Sequence, residues 1–268
     1  MVVGGHPRHA NAGLNVCSLM STKPFLILQL RPEDIASDNE YEAILLHGGL
    51  AEEEVVRVRM DQQVPENVSL DAYAGVIVGG GPSNASDSED HRTPEHQRFH
   101  DFLRRLLREV IDRDKPYFGI CFGLGAIATI TEGSVSKEHY GELVMTISVS
   151  LTKDGERDPL LQGLPKTFRA FVGHKEACQA VPPRAVLLAT GDACPVQMIR
   201  FGSHVYATQF HPELDVEGVT LRVSIYKDAG YFPPEDAERI IENSSKESVT
   251  VPPMILKRFI ERYRTSYE

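Results

Sequence analysis

A repeated alternation of short apolar runs with helical patterns restricts the fold of this chain more than any other feature. Residues 24–30 (PFLILQL) have the continuous apolar character of a buried strand. Residues 40–50 (EYEAILLHGGL) predict a helix that ends at two glycines, and residues 54–60 (EVVRVRM) alternate like a strand. Residues 74–82 (AGVIVGGGP) predict a strand that runs into a glycine loop. Such alternation is typical of βαβ units and predicts an α/β fold with a parallel sheet.

Residues 94–113 predict a long amphipathic helix. Its apolar residues recur at the i, i+3, i+4 and i+7 spacing of one helix face, and they are Phe99, Phe102, Leu103, Leu106, Val110 and Ile111. Thr93 is a suitable N-cap, and Pro94 suits the first helical position. The opposite, arginine-rich face is expected to lie in solvent.

Cys121 lies where a predicted strand meets a predicted helix. Residues 115–120 (KPYFGI) have the pattern of a strand, and residues 124–130 (LGAIATI) have that of a helix. The cysteine therefore occupies a turn at the carboxyl end of a central strand. Open α/β sheets place their sites at this edge.

The second half of the chain is richer in strands. Successive strand patterns cover residues 141–151, 167–172, 185–190, 195–200 and 204–210. Helical patterns return at residues 216–230, 235–243 and 253–263. We expect a disordered extension over residues 1–22, one domain over residues 23–230, and a helical extension over residues 231–268 that packs on the same domain.

Composition narrows the choice of partners and compartment. A net charge of -10 disfavours nucleic-acid and anionic-membrane surfaces, which need clustered Lys and Arg. Four irregularly spaced cysteines do not resemble a disulfide framework, and no apolar run is long enough to span a membrane. The first nineteen residues lack the apolar core of a signal peptide. We therefore expect a cytoplasmic protein with small-molecule or protein partners and without a cofactor or metal.

Glycines stand two residues to either side of Cys121, in the segment GICFG (residues 119–123). A nucleophile on a sharp strand-to-helix turn has a strained backbone and little room beside it, so small residues are needed there. The helix that follows points its N-terminus at the sulfur and favours the thiolate. The alternative is a buried structural thiol at a crowded turn.

His211 and Glu213 follow a predicted strand in the segment ATQFHPELD. A catalytic thiol needs a base to accept its proton, and the base needs a partner that fixes its tautomer. His211 and Glu213 could supply both groups. As an isolated feature, His211 could equally be an inert histidine.

The glycine loop VGGGPSNAS (residues 78–86) also follows a strand. Glycines let backbone N–H groups approach a ligand closely, which suits an oxyanion. The segment lacks the Lys-Ser/Thr ending of a P-loop and the G-x-G-x-x-G of a dinucleotide site. A tight structural turn is the alternative.

The segments GGGP, GICFG and HPE, in this order, resemble those of class I glutamine amidotransferases of the triad type. The segments QLRPED, DNEYEAIL, VGHKEA and YATQFHPELD are most similar to free-standing members that resemble the glutaminase domain of GMP synthase. The resemblance covers about residues 24–230. It implies a flavodoxin-like, open and mostly parallel sheet with helices on both faces, and a nucleophile elbow at Cys121.

The resemblance also implies a role for each motif residue. Cys121 is the expected nucleophile, His211 the general base and then acid, and Glu213 the carboxylate that orients His211. The N–H groups of Phe122 and of Gly80 or Gly81 are the expected oxyanion donors. The implied reaction hydrolyses the side-chain amide of glutamine, through a thioester, to glutamate and ammonia. Because the chain has no recognisable synthetase domain, a separate ammonia-accepting synthetase is an expected partner.

One position departs from the family pattern. The family has a Gln four residues after the cysteine, where it helps to hold glutamine, and this chain has Gly125. Either another segment holds glutamine, or the substrate is another γ-glutamyl compound. The alternatives are therefore a γ-glutamyl peptide hydrolase on the same fold and a non-catalytic regulatory or binding subunit.

His174 is a further candidate for the substrate site, together with Gly125. By analogy with relatives it lines the mouth of the pocket, and the alternative is an exposed loop histidine. A metal site from His174, Cys178 and Cys194 is not expected, since their spacing matches no standard zinc motif.

Overall fold

A nine-stranded mixed sheet lies at the centre of the computed structural model, which describes residues 23–264. In chain order, the strands of these residues are β1 (Phe25–Gln29), β2 (Val55–Arg59), β3 (Gly75–Val78), β4 (Tyr117–Ile120), β5 (Val135–Ser136), β6 (Glu142–Leu151), β7 (Thr167–His174), β8 (Ala177–Cys178), β9 (Val186–Gly191), β10 (Met198–Phe201) and β11 (Val205–Thr208).

The order of strands in the main sheet is β2-β1-β3-β4-β11-β10-β9-β6-β7. The first five strands in this order are parallel, and each later strand pairs antiparallel with its neighbour. Strands β5 and β8 form a separate antiparallel pair. The mostly parallel sheet predicted from the alternating pattern is confirmed, and the antiparallel part comes from the strand-rich second half.

Six helices of the described residues surround the sheet. They are α1 (Asp34–Gly48), α2 (Pro94–Asp112), α3 (Phe122–Ile130), α4 (Val216–Ile225), α5 (Ala237–Ser245) and α6 (Val251–Tyr263). The Thr93 side chain accepts a hydrogen bond from the His96 N–H, which confirms the predicted cap of α2. Gly49 ends α1 in the left-handed conformation, with φ of 66°.

Apolar cores lie on both faces of the sheet. The side chains of a strand point alternately to the two faces, so one strand contributes residues to both cores. In β1, Leu26 and Leu28 belong to the core formed with α2 and α3. Phe25 and Ile27 belong to the core formed with α1 and α6. A third apolar cluster lies between β7, α4 and α5. The predicted arrangement of helices on both faces is confirmed.

Two element boundaries differ from the sequence prediction. Helix α1 begins at Asp34, six residues before its apolar pattern, because the polar first turns still bury Ala36 and Ser37. The strand predicted over residues 204–210 ends at Thr208. Beyond it the chain leaves the sheet, and the His211 N–H donates to the Phe171 carbonyl at 2.9 Å.

The two ends of the chain differ in what the structure describes. The predicted extension over residues 1–22 lies outside the described residues. Helix α6 packs on the sheet, where Phe259 lies edge-on to Phe118 with ring centroids 5.1 Å apart. No helix of residues 23–264 combines the length and apolarity needed to cross a membrane.

The contact of α6 with the sheet predicts a large effect of Phe259→Ala on stability. Phe259 is fully buried against Phe118 and Tyr206, so truncation should lower the free energy of unfolding by about 3–5 kcal/mol. Denaturant unfolding of the full chain measures this. Met254→Ala on the exposed side of the same helix is the control and should change it by less than about 0.5 kcal/mol. Equal effects of the two substitutions would contradict the packing of α6 on the core.

Candidate active site

Three adjacent parallel strands bring the candidate residues to one edge of the sheet. The glycine loop follows β3, Cys121 follows β4, and the segment with His211 and Glu213 follows β11. These strands are neighbours in the sheet, with Val78 opposite Gly119 and Ile120 opposite Thr208. Because the carboxyl ends of parallel strands meet at one edge, three segments that are distant in sequence meet there.

Cys121 occupies a strained turn between β4 and α3. Its backbone has φ of 51° and ψ of −95°, a combination that residues with a side chain rarely adopt. The Cys121 N–H donates to the Thr208 carbonyl at 2.8 Å, which ties the turn to β11. The side chain is half-buried at the N-terminus of α3. The predicted sharp strand-to-helix turn is therefore confirmed.

The flanking glycines are a steric requirement of this turn. A Cβ at Gly119 would lie 2.7 Å from the carbonyl carbon of Gly123, and one at Gly123 would lie 2.8 Å from the Val78 carbonyl oxygen. These neighbours are backbone atoms, which cannot rotate away as a side chain can. The Tyr117 hydroxyl donates to the Gly123 carbonyl at 2.8 Å, and this hydrogen bond also holds the start of α3 against β4.

His211 and Glu213 form a buried pair beside the cysteine. The distance from His211 Nδ1 to Glu213 Oε1 is 2.7 Å, and both side chains are buried. Cys121 and His211 line the same cleft, and the interaction of their side chains contributes to the raised pKa of His211. The Gln209 amide also approaches the thiol, with Nε2 at 3.8 Å from Cys121 Sγ. The structure thus brings together the three residues that the sequence motifs singled out.

The electrostatics of the pair favour a protonated imidazole beside an ionised carboxylate. Burial by itself lowers the pKa of His211, but the Glu213 carboxylate and the Cys121 side chain outweigh it and raise that pKa to about 10. Burial by itself raises the pKa of Glu213, but His211, a backbone N–H and Arg31 together lower it. Each charge is therefore kept in the protein interior by the other.

Arg31, two residues after the end of β1, and Glu40 of α1 form an ion pair near the site. Arg31 Nε donates to Glu40 Oε1 at 2.9 Å, and both side chains are buried. Arg31 Nη1 donates to the Tyr226 hydroxyl at 3.3 Å. Sequence reasoning missed this group, although Arg31 closely follows a strand at the carboxyl edge of the sheet. That position in the sequence could have identified Arg31 as a candidate site residue.

Gly80 and Gly81 lie against the cysteine-histidine pair as their loop leaves β3. A Cβ at Gly80 would lie 2.9 Å from His211 Cε1 and 3.7 Å from Cys121 Cβ. A Cβ at Gly81 would lie 3.0 Å from Leu30 Cβ. Phe122 is the first residue of α3, and the first N–H groups of a helix have no acceptor within it. The expected oxyanion donors thus border the thiol, and their role remains a prediction.

Two clefts open beside Cys121. We call the first the Arg222 cleft, and its lining includes Arg31, Cys121, Val172, His211, Arg222 and Tyr231. We call the second the Glu176 cleft, and its lining includes Gly81, Cys121, Phe122, Gly125, His174 and Glu176. His211 lines only the first of the two, and Phe122 only the second.

A carboxylate occupies the space beside Gly125, where the family has its Gln. Glu176 Oε1 would lie 3.0 Å from a Cβ at Gly125. The Glu176 carboxylate accepts hydrogen bonds from the N–H groups of Ala85 and Ser86 and from the Ser86 hydroxyl. A larger side chain at residue 125 would therefore meet the Glu176 carboxylate.

His174 is buried at the end of β7, with 4% of its surface exposed. The alternative of an exposed loop histidine is therefore wrong, because both ring nitrogens are engaged. Nδ1 lies 2.9 Å from the Glu176 carbonyl oxygen, and Nε2 lies 2.9 Å from Glu142 Oε2. A role in substrate binding remains a prediction.

Glu142, His174 and Cys194 form a buried cluster whose possible ligand atoms lie within 4.8 Å of one another. The carboxylate of Glu142 also accepts from Gln197 Nε2 at 2.7 Å, so protein groups already satisfy Glu142 and His174. Cys178 and Cys194 are both buried, and burial raises the pKa of each thiol to about 12. Cys121 differs from both by its partial exposure and its contact with His211.

Comparisons with known proteins assign this chain to a family. The candidate site of this α/β sheet consists of a half-buried cysteine on a strand-to-helix turn and a buried His–Glu pair next to it. The chain matches the family "Glutamine amidotransferase class-I" over residues 35–218, which is more than half of its length. The chain therefore belongs to the class I glutamine amidotransferase family.

The similar proteins carry different names within this family. The chain is 27% identical over 164 residues to gamma-glutamyl peptidase 3 of Arabidopsis thaliana, covering 59% of this chain and 61% of that protein. It is 30% identical over 157 residues to one subunit of the glutamine-hydrolyzing GMP synthase of Pyrococcus furiosus, covering 56% of this chain and 74% of that protein. The match thus spans only about three fifths of the first of these proteins.

The fold is similar to that of a solved glutamine amidotransferase from Thermotoga maritima. The TM-score is 0.73 at 20% sequence identity, covering 92% of this chain and all of that protein. The flavodoxin-like fold implied by the resemblance to free-standing amidotransferases is confirmed.

The His211–Glu213 pair predicts a specific change in a proton titration. Glu213→Gln removes the carboxylate that raises the pKa of His211, while the burial that lowers this pKa remains. The pKa of His211 should therefore fall from about 10 by about one unit or more. Histidine-ring NMR over a pH series measures it, with the signal assigned from a His211→Gln variant. Glu217→Gln on the exposed surface of α4 is the control, and an unchanged His211 in Glu213→Gln would contradict the coupling.

Proposed function

We propose that this protein hydrolyses γ-glutamyl amide bonds through a thioester on Cys121. The observation that carries the proposal is the contact of Cys121 with His211, which is in turn hydrogen-bonded to Glu213 at 2.7 Å. A thiol, a base and an orienting carboxylate are the three groups that nucleophilic acyl transfer requires. Membership of the class I glutamine amidotransferase family supports the same assignment.

The reaction proceeds in two balanced halves. The Cys121 sulfur attacks the γ-carbonyl carbon, and the carbon–nitrogen bond breaks as His211 donates a proton to the leaving nitrogen. Water, deprotonated by His211, then attacks the thioester, and the carbon–sulfur bond breaks to restore Cys121 and release glutamate. Glu213 holds the imidazole by Nδ1, so that Nε2 faces the sulfur and the leaving group.

The negative charge that develops on the carbonyl oxygen needs donors already in place. We assign this role to the N–H of Phe122 and the N–H of Gly80 or Gly81. Phe122 opens α3, so its N–H and the helix dipole both favour an anion there. The closeness of Gly80 to Cys121 and His211 supports the second donor. The Glu176 cleft, with Phe122, Gly125 and His174, would then hold the γ-glutamyl part.

Glutamine and γ-glutamyl peptides both contain the bond that this site would cleave. Glutaminase activity is supported by the similarity to the GMP synthase of Pyrococcus furiosus, and peptidase activity by the similarity to gamma-glutamyl peptidase 3. With glutamine as substrate, the ammonia would pass to a separate synthetase. The change from Gln to Gly125 favours the peptide. A cytoplasmic location stays a prediction from the sequence.

Cys121→Ala should abolish release of glutamate from both glutamine and a γ-glutamyl dipeptide. The smaller side chain keeps the fold of the turn, so circular dichroism and the unfolding midpoint should be unchanged. Cys178→Ala is the control and should retain turnover, because that thiol is fully buried in the core formed with α2 and α3. Full turnover by Cys121→Ala would refute the thioester.

The reactivity of the cysteine thiols can also be compared without a substrate. Iodoacetamide at pH 7 should alkylate Cys121 far faster than Cys178 or Cys194, because burial raises the pKa of the latter two to about 12. Peptide mass spectrometry resolves the individual sites. Equal labelling of Cys121, Cys178 and Cys194 in folded protein would mean that Cys121 is not activated.

Glu213→Gln should lower the rate less than His211→Ala does, since packing still orients an imidazole but nothing replaces a missing base. We expect losses of about 100-fold and at least about 1,000-fold in kcat, respectively. Steady-state release of glutamate measures both. An unchanged rate in Glu213→Gln would mean that another acid orients His211.

A further inference from the structure

Arg222 is a buried cation without an anionic partner among residues 23–264. Only 5% of its surface is exposed. Its Nη1 donates to Asn39 Oδ1 at 2.8 Å, but Nε and Nη2 are buried and have no hydrogen-bond partner within the described chain. No ion pair within these residues includes Arg222, whereas the neighbouring Arg31 is paired with Glu40.

This arrangement is costly unless something completes it. A buried charge that lacks a counter-charge and full hydrogen bonding destabilises a fold by several kcal/mol. The two nearby buried carboxylates have other partners: Glu40 is bonded to Arg31 and Gln29, and Glu213 is bonded to His211 through Oε1. Glu213 Oε2 has no hydrogen-bond partner among residues 23–264, so it does not pair with Arg222. Burial and the charge of Arg31 lower the pKa of Arg222 to about 10, so the guanidinium remains charged at pH 7.

The two unsatisfied donors match one kind of ligand. Nε and Nη2 donate from the same edge of the planar guanidinium, and such an edge binds a carboxylate through two parallel hydrogen bonds. Arg222 lines the same cleft as Cys121, with Val172, Leu214 and Val219 forming apolar walls. Apolar walls exclude water and strengthen an ionic contact.

The position of His211 indicates which part of a substrate enters this cleft. In the proposed reaction His211 protonates the leaving nitrogen, and His211 lines the Arg222 cleft but not the Glu176 cleft. Of the expected oxyanion donors, Phe122 lines only the Glu176 cleft, and Gly81 lines both clefts. The acyl part therefore lies in the Glu176 cleft, and the leaving amine extends into the Arg222 cleft.

We infer that Arg222 binds a free carboxylate on the leaving amine, so that the preferred substrates are γ-glutamyl peptides rather than glutamine. The inference rests on the proposed hydrolysis at Cys121. The γ-glutamyl carbon–nitrogen bond breaks, water supplies the hydroxyl of the new carboxyl group, and the leaving amino acid or peptide takes the proton. Ammonia, the leaving group of glutamine, has no carboxylate and leaves the donors of Arg222 unsatisfied.

Arg222 also had a sequence signal. In α4 it lies three residues after Val219 and one before Val223, and all three are buried. A lone arginine on the apolar stripe of a helix is an unusual position, because arginine is rarely fully buried without a partner. Its contact with the cleft came only from the packing of α4 beside α1, where Asn39 receives Nη1.

The test compares acids with amides of the same leaving group. Wild-type protein is offered γ-glutamylglycine and γ-glutamyl-glycylglycine, their C-terminal amides, and glutamine, with release of glutamate as the readout. The acids should exceed the amides in kcat/KM by about 10- to 100-fold, as a hydrogen-bonded ion pair provides. Arg222→Gln should reduce this ratio to about one. Arg222→Lys keeps the positive charge but lacks the two parallel N–H donors, so it should give an intermediate ratio.

Arg105→Gln, an identical change on the exposed side of α2, is the matched control and should retain the wild-type ratio. The inference is overturned if wild-type protein does not distinguish acid from amide for either peptide length. It is also overturned if Arg222→Gln lowers the activity toward acids, amides and glutamine by the same factor, because this would be a purely structural effect.

A binding measurement separates this inference from the proposed catalysis. Arginine side-chain NMR of the full-length wild-type protein should show a shift of the Arg222 Nε–H on addition of glycylglycine but not of glycylglycinamide, with the signal assigned from Arg222→Lys. This outcome would support the carboxylate site even if Cys121→Ala retained turnover and the thioester were wrong. No shift with glycylglycine would overturn the carboxylate site even if Cys121 proved essential.

Discussion

The close approach of backbone to backbone at the end of β4 is the constraint on which the rest of the site depends. The chain turns from strand to helix within one residue, so Cys121 takes a positive φ and the two flanking glycines contact backbone atoms. This turn places the sulfur above the edge of the sheet and directs the N-terminus of α3 toward it. The hydrogen bond from the Cys121 N–H to the Thr208 carbonyl then fixes the turn against the end of β11, directly before the segment that carries His211.

Charge compensation is the second principle of the site. The interior near the sulfur contains His211 with Glu213 and Arg31 with Glu40, and each cation is bonded to its own carboxylate. Such pairs are tolerated in a protein interior because each partner offsets the desolvation of the other. Arg222 is the exception among the described buried charges of this edge, and it lines the cleft that contains the cysteine. An incomplete pair next to a nucleophile is best explained by a ligand that completes it.

The departure from the family pattern at Gly125 also has a structural context. Glu176 extends toward the space beside Gly125 and is bonded to the loop at Ala85 and Ser86. The Glu176 cleft is therefore bounded by a carboxylate beside Gly125, and the Arg222 cleft also borders Cys121. In the proposed reaction the two clefts would hold the two parts of the substrate.

The sequence by itself determined most of the helices and strands, the parallel half of the sheet and the positions of the three motif residues at the ends of strands. Apolar periodicity depends on local geometry, and the GICFG and HPE segments can be recognised within a few residues. The start of α1 was missed because its first turn is polar yet packs in the interior. Only the tertiary structure decided which charges are paired, that His174 is buried, and that Arg222 from α4 reaches the cleft beside Cys121. These features depend on contacts between residues far apart in the chain, such as Arg222 with Asn39, whose distance no local pattern encodes.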